Sequence, residues 1–245
     1  MSAINILTDI CYSPEHNLSF DIYLPENTDT FPLVVFFHGG GLECGDKSEI
    51  SALGHEFAEA GIAFAAPNYR MYPDAEYPDF IVDSACAAAF IFEHTKGAGR
   101  LFIGGHSAGA YLAMMLCFDR SYLTNVGFGP DSVGGYILCS GQPTAHFNVL
   151  RERGIDTRSV IIDESAPIFH ITEHGAPVQI FCADGDMENR LEQTELLVST
   201  LRHFRYSSPV DYRVMKGHDH GSYTEKTTQN SPLLCAVREF IFSCM

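Results

Sequence analysis

The sequence has no uninterrupted apolar stretch of about 18 residues, the length a membrane-crossing helix needs. Its first residues, MSAINILTDICYSPEH, lack the basic start and apolar run of a secretion signal. A cytoplasmic protein with no membrane span is therefore expected. Positive charge is also scarce: 15 Lys and Arg stand against 31 Asp and Glu, a formal net charge of -16. Such a field repels phosphate backbones and anionic headgroups, which argues against nucleic acid as a partner. The eight cysteines contain no Cys-x-x-Cys pair, and Cys117, Cys139 and Cys182 sit inside apolar runs, as reduced, buried small hydrophobes do. Apart from His170 and His174 in HITEH, the eleven histidines show no His-x-x-x-His or carboxylate spacing suited to zinc, so no metal and no organic cofactor is expected. No repeat, low-complexity tract or charge run marks a linker, and the chain reads as one domain, 1–245.

What is present is a globular composition, 46% hydrophobic and 19% charged, with strand and helix signals in alternation. Two segments, INILTDICY and NLSFDIYL, open the chain as an antiparallel or mixed edge. PLVVFFH, GIAFAAPNY, RLFIGG, GGYILCS, PVQIFCA and VDYRVMK follow, near-continuously apolar, as strands covered on both faces are. Helical stretches separate them: SEISALGHEFAEAG, DFIVDSACAAAFIFEHT, AGAYLAMMLCF, NRLEQTELLVSTLRHF and SPLLCAVREFIFSCM. This predicts an α/β fold with a mostly parallel central sheet of about eight strands and helices on both faces. Ligands of such sheets bind beyond the carboxyl ends of the strands.

Four strand ends carry chemistry. RLFIGG runs into Gly105-His106-Ser107-Ala108-Gly109, a G-x-S-x-G pattern that arises by chance in roughly one chain of this make-up in eight, so its strand-to-helix setting matters more than the pattern. A chain turning from strand to helix through one residue strains that residue and needs neighbours without side chains. Ser107 is thus a candidate nucleophile at a helix N-terminus. PLVVFF ends in His38-Gly39-Gly40-Gly41, whose backbone is free to aim N–H groups into a cleft. Gly40 and Gly41, with Ala108, are the expected oxyanion donors. A serine hydroxyl needs a base and the base an orienting acid. Asp184 and Asp186 follow one strand, His218 and His220 the next, in the order Ser, Asp, His.

HGGG, GHSAG, NYRMYPDAEYP, ADGD and GHDHG together resemble the α/β-hydrolase superfamily, in its carboxylesterase branch related to hormone-sensitive lipase and kynurenine formamidase. The resemblance implies the α/β-hydrolase fold with a small cap segment within about 142–176. Its spacing favours Asp186, seven residues before Gln193, as the acid, with Asp184 left to cap the turn. It also favours His220, three residues after Gly217, as the base, with His218 a surface neighbour. Arg70 and Asp83 are expected to form a structural ion pair.

The implied function is a serine carboxylesterase acting on short acyl or aryl esters, acetyl or hydroxycinnamoyl esters among them. The alternatives are an arylformamidase or amidase of the kynurenine-formamidase type and, further off, a non-catalytic ligand-binding member. Leu42, His106, Phe147 and Phe169 are the expected substrate-pocket residues. Phe147, Leu150, Ile168 and Phe169 either roof the site or anchor the inserted segment. The partner is a small-molecule ester, and the last helix is either sheet cover or a homodimer surface.

Overall fold

A computed structural model describes residues 4–26, 28–225 and 228–245. Among these residues, eight strands form a single sheet: β1 (Ile4–Ser13), β2 (Leu18–Pro25), β3 (Phe31–Phe37), β4 (Ala63–Pro67), β5 (Ala98–His106), β6 (Val133–Cys139), β7 (Val178–Gly185) and β8 (Val210–Asp219). Their order is β1-β2-β4-β3-β5-β6-β7-β8. β2 runs antiparallel to both β1 and β4, while β4, β3, β5, β6, β7 and β8 pair in parallel. All eight strands read from the sequence are present, with the antiparallel edge where it was expected.

Successive side chains of a strand face opposite sides. In β3, Leu33, Val35 and Phe37 enter one core and Val34 and Phe36 the other. The central strands need apolar residues at every position for that reason, and β3, β4 and β6 are buried throughout. The edge strands β1 and β8 are mostly uncovered.

Among the described residues, eight α-helices surround the sheet: α1 (Ser51–Glu59), α2 (Asp79–His94), α3 (Ala108–Phe118), α4 (Ser121–Asn125), α5 (Phe147–Glu152), α6 (Arg190–His203), α7 (Ser222–Glu225) and α8 (Pro232–Ser243). The five long ones coincide with the stretches read from the sequence. The helices of four to six residues, α4, α5 and α7, carry too few turns to show a period. α3 is buried along its whole length, which explains an apolar sequence with no polar stripe. α8 buries Leu233, Leu234, Val237, Phe240 and Ile241 as sheet cover. Among the described residues, no helix is long and apolar enough to cross a membrane.

The inserted segment 142–176 is stapled to the body. Tyr111 Oη donates to Ser165 O and Asn148 Nδ2 donates to Gly41 O across 3.0 Å, while Ala145 N to Ile161 O and Ile168 N to Pro143 O close the segment on itself. Leu150 and Ile168 are buried in the core, so they anchor the segment and do not roof a site.

Candidate active site

β5 ends and α3 begins on either side of Ser107, whose backbone stands at φ 54°, ψ -115°. A non-glycine residue there is strained, and the surroundings must hold it. The flanking glycines are required by contact. A Cβ on Gly105 would lie 2.2 Å from the Gly109 carbonyl carbon, and one on Gly109 would lie 2.0 Å from Phe37 O. Any side chain at either position would push β3, β5 and α3 apart. Ser107 N donates to Cys139 O of β6 at 2.8 Å, which fixes the corner to the neighbouring strand.

β7 delivers Asp186 and the turn after β8 delivers His220. Ser107 Oγ lies 2.7 Å from His220 Nε2, and His220 Nδ1 lies 2.6 Å from Asp186 Oδ1. A carboxylate only accepts, so Nδ1 carries the proton and Nε2 is left to accept from the serine hydroxyl. The Asp186 side chain is 1% exposed and that of His220 25%. Burial by itself raises the Asp186 carboxyl. Hydrogen bonds from His220, from Ser140 Oγ (2.5 Å) and from Met187 N (2.7 Å) outweigh that and hold it well below the usual carboxylate range. Asp186 is therefore a fixed anion.

Asp184 does separate work. Its Oδ1 accepts from Gly217 N at 2.7 Å and ties the end of β7 to β8. His218 Nδ1 pairs with Ser222 Oγ at 3.2 Å. The structure thus brings Asp186 and His220 to Ser107 and leaves Asp184 and His218 as supports of the turn.

The 38–41 run folds back at Gly40 (φ 108°) and Gly41 (φ 66°). All four carbonyls in it are engaged: His38 O by Tyr69 Oη, Gly39 O by His38 Nδ1, Gly40 O by Glu43 N and Cys44 N, and Gly41 O by Asn148 Nδ2. Four held carbonyls fix the peptide planes between them, and with those planes the directions of the N–H groups. A Cβ on Gly39 would come 3.3 Å from Ser107 Cβ, so this run lies against the serine corner.

The pocket expectations need correction. Phe147 touches the glycine run and lines a cavity of about 690 Å³ together with Gln142, Arg158, Met187, Arg190 and Gln193. Leu42 is 0% exposed: at φ 63° its side chain turns into the core beneath the loop, where no substrate reaches it. Phe169 is 57% exposed, packs edge-on against His170 and does not line the cavity. His106 is not a pocket wall either. Its Nε2 lies 2.6 Å from His220 O and its ring packs 4.9 Å from that of His220. Burial, reinforced by neighbouring His220, lowers its pKa to about 4. His106 is thus a neutral ring donating Nε2–H to the His220 carbonyl.

Sequence reasoning missed Ser140 and Tyr223. Ser140 closes β6 in an unusual conformation (φ 52°), and its hydroxyl stands 2.5 Å from Asp186 Oδ2 and 2.6 Å from Tyr223 Oη. Its position just beyond a parallel strand was the available signal. Tyr223 gave none. Among the described residues, no group of three or more His, Cys, Asp or Glu side chains is arranged to hold a metal ion.

Comparison with solved structures places this architecture. An esterase from Thermogutta terrifontis with propionate bound covers 99% of this chain and 94% of its own at a TM-score of 0.74 and 19% identity. A hyperthermophilic esterase from Pyrobaculum calidifontis covers 99% and 84% at a TM-score of 0.77 and 16% identity. This chain has the α/β-hydrolase fold. At such identities the structural likeness concerns the fold alone.

The BD-FAE family model matches residues 20–126, a span that holds both glycine motifs and leaves Asp186 and His220 beyond it. Among curated proteins, the chain is 30% identical over 157 residues to probable carboxylesterase 13 of Arabidopsis thaliana, covering 53% of this chain and 47% of that protein. It is 34% identical over 117 residues to an isoprenylcysteine alpha-carbonyl methylesterase of the same plant, covering 46% and 27%. The chain thus spans about half the length, or less, of these curated relatives.

Proposed function

We propose that the protein is a serine carboxylesterase with Ser107 as nucleophile, His220 as general base and Asp186 as the acid that orients it. The observation that carries this reading is the unbroken run of hydrogen bonds from the Ser107 hydroxyl through His220 to a buried carboxylate, 2.7 Å and 2.6 Å long. His220 Nε2 takes the hydroxyl proton as Oγ bonds to the ester carbonyl carbon. The resulting oxyanion is met by the N–H groups of Gly40, Gly41 and Ala108, the last at the start of α3, where the helix field favours negative charge. The intermediate collapses, His220 returns the proton to the leaving alkoxide, and the alcohol departs. Water, deprotonated by the same imidazole, then releases the acid and restores Ser107.

The names of the relatives, carboxylesterase and methylesterase, support an ester as substrate. A cavity of about 690 Å³ beside Phe147 suits a short acyl or aryl ester such as an acetyl or hydroxycinnamoyl ester. All eight cysteines are free, in keeping with a reducing, cytoplasmic setting.

A fluorophosphonate probe should label Ser107 alone. S107A should lose about 10⁴-fold or more in kcat on p-nitrophenyl acetate with an unchanged melting temperature. Labelling elsewhere, or residual activity above about a thousandth, would remove the assignment.

A further inference from the structure

Arg190 opens α6, four residues after Asp186, on a turn closed by its own N–H to Met187 O at 3.0 Å. It is 6% exposed and lines the 690 Å³ cavity. Among the described residues, its guanidinium finds no hydrogen-bond acceptor and no carboxylate within ion-pair distance, and Nη1 is sealed from solvent without a partner. Asp186 is the nearest source of compensation, acting through space, because its two oxygens are taken by His220, Ser140 and Met187. Burial accordingly pushes the guanidinium below its usual range.

A nearly buried cation without a partner costs several kcal/mol, and folded proteins rarely tolerate one. Arg70 shows the ordinary solution: its Nε and Nη2 both bond to Asp83, each at 2.8 Å. Arg190 stands, in addition, at the N-terminus of a 14-residue helix, where a cation is opposed and an anion favoured by the helix field. Two independent features thus place positive potential on one wall of the cavity. Glu188 and Glu192 lie on its rim, but both are exposed, so water screens them far more than the desolvated guanidinium.

We infer that this wall is an anionic subsite: Arg190 receives a carboxylate carried by the substrate, so the preferred ester bears a negative charge a few bonds from its scissile carbonyl. The rim glutamates and the net charge of -16 favour a singly charged carboxylate over a doubly charged phosphate. This inference rests on the esterase reading and adds a specificity-determining residue to it.

Two pairs of esters probe the two sides of the scissile bond: mono-p-nitrophenyl glutarate against p-nitrophenyl valerate, and 4-acetoxybenzoate against its methyl ester. In at least one pair the wild-type protein should show a kcat/KM ratio of about tenfold or more in favour of the charged member, mostly through KM. R190Q should bring that ratio to about one, and R190K should retain part of it. R190Q should also melt no lower than wild type, since it removes an uncompensated charge, whereas a structural arginine would be missed. Glutarate, tested on the wild-type protein at matched ionic strength, should inhibit competitively and raise the melting temperature. Equal rates within both pairs together with no effect of glutarate would overturn the subsite and leave the esterase standing. A preference unchanged in R190Q would equally remove Arg190 from it. If no ester is cleaved and no probe is captured, the esterase reading fails, and glutarate binding, lost in R190Q, still decides the subsite.

Discussion

Two buried carboxylates, Asp83 and Asp186, make a useful contrast. Asp83, with a side chain 6% exposed, is closed off by a cation: Arg70 gives it Nε, Nη2 and its backbone N–H, and turns its remaining Nη1 to a second carboxylate, Asp79, at 3.5 Å. Asp186 is more deeply buried but receives neutral donors, Ser140, Met187 N and His220, and the last of these continues to Ser107. A guanidinium neutralises a carboxylate on the spot. Neutral donors hold the carboxylate while leaving its charge to act on an imidazolium that forms during reaction. The first arrangement pins a loop, whereas the second can stabilise a transient charge.

Exchanging each carboxylate for its amide should separate the two arrangements most sharply. In D186N the amide offers His220 a donor where it had an acceptor, which favours the wrong imidazole tautomer. We expect kcat to fall by about 10³- to 10⁴-fold with little change in melting temperature. D83N should do the reverse, leaving Arg70 half-buried with only the longer contact to the more exposed Asp79 to offset its charge. A stability loss of about 3 kcal/mol by urea titration should accompany near-normal kcat in the folded fraction. Equal behaviour of the two variants in both assays would erase the distinction.

Acid sharpens the comparison in a second way. His106 supports the site as a neutral ring, its pKa held at about 4 in the folded chain, against about 6.5 when unfolded. Between these values the unfolded chain binds the extra proton and the folded chain does not, so stability falls as pH falls. The cost is absent above about pH 6.5, grows on acidification and is complete near pH 4. At about pH 5 it amounts to roughly 2 kcal/mol, and urea midpoints at pH 7.5 and 5 should show it. In H106Q, whose amide can reach the His220 carbonyl but does not titrate, that part of the acid sensitivity should vanish. An unchanged pH slope would show that His106 is not its source.

Much of this was legible in the sequence, and the exceptions share a cause. Alternation and burial on both faces revealed eight strands and the long helices, because a parallel sheet demands apolar residues at every central position. The residues at Ser107, Asp186 and His220 stood out because each follows a strand directly, at the carboxyl edge of the sheet where ligands of such folds bind. Leu42 and Phe169 were misplaced because neighbourhood in sequence does not tell which way a side chain turns. The positive φ of Leu42 sends it inward, and the 3₁₀ turn at Pro167–His170 sends Phe169 outward. Ser140, Tyr223 and Arg190 matter only through contacts between β6, α7 and α6, which no local pattern encodes.

Ser140 offers the smallest effect and the finest test of the contrast. Its hydroxyl donates to Asp186 Oδ2 and accepts from Tyr223 Oη, so a chain of two neutral donors ends on the carboxylate oxygen that His220 leaves free. S140A removes one neutral donor and leaves the His220 bond in place. If Asp186 acts by orienting the imidazole, the loss should be about tenfold in kcat, with KM and the tautomer unaffected. Because Ala favours φ 52° even less than Ser, a fall in melting temperature from backbone strain is expected as well. S140G relieves that strain without restoring the hydroxyl, so the activity loss should persist in S140G while the melting temperature recovers. A parallel recovery of both would show that Ser140 shapes the turn and does not hold the acid.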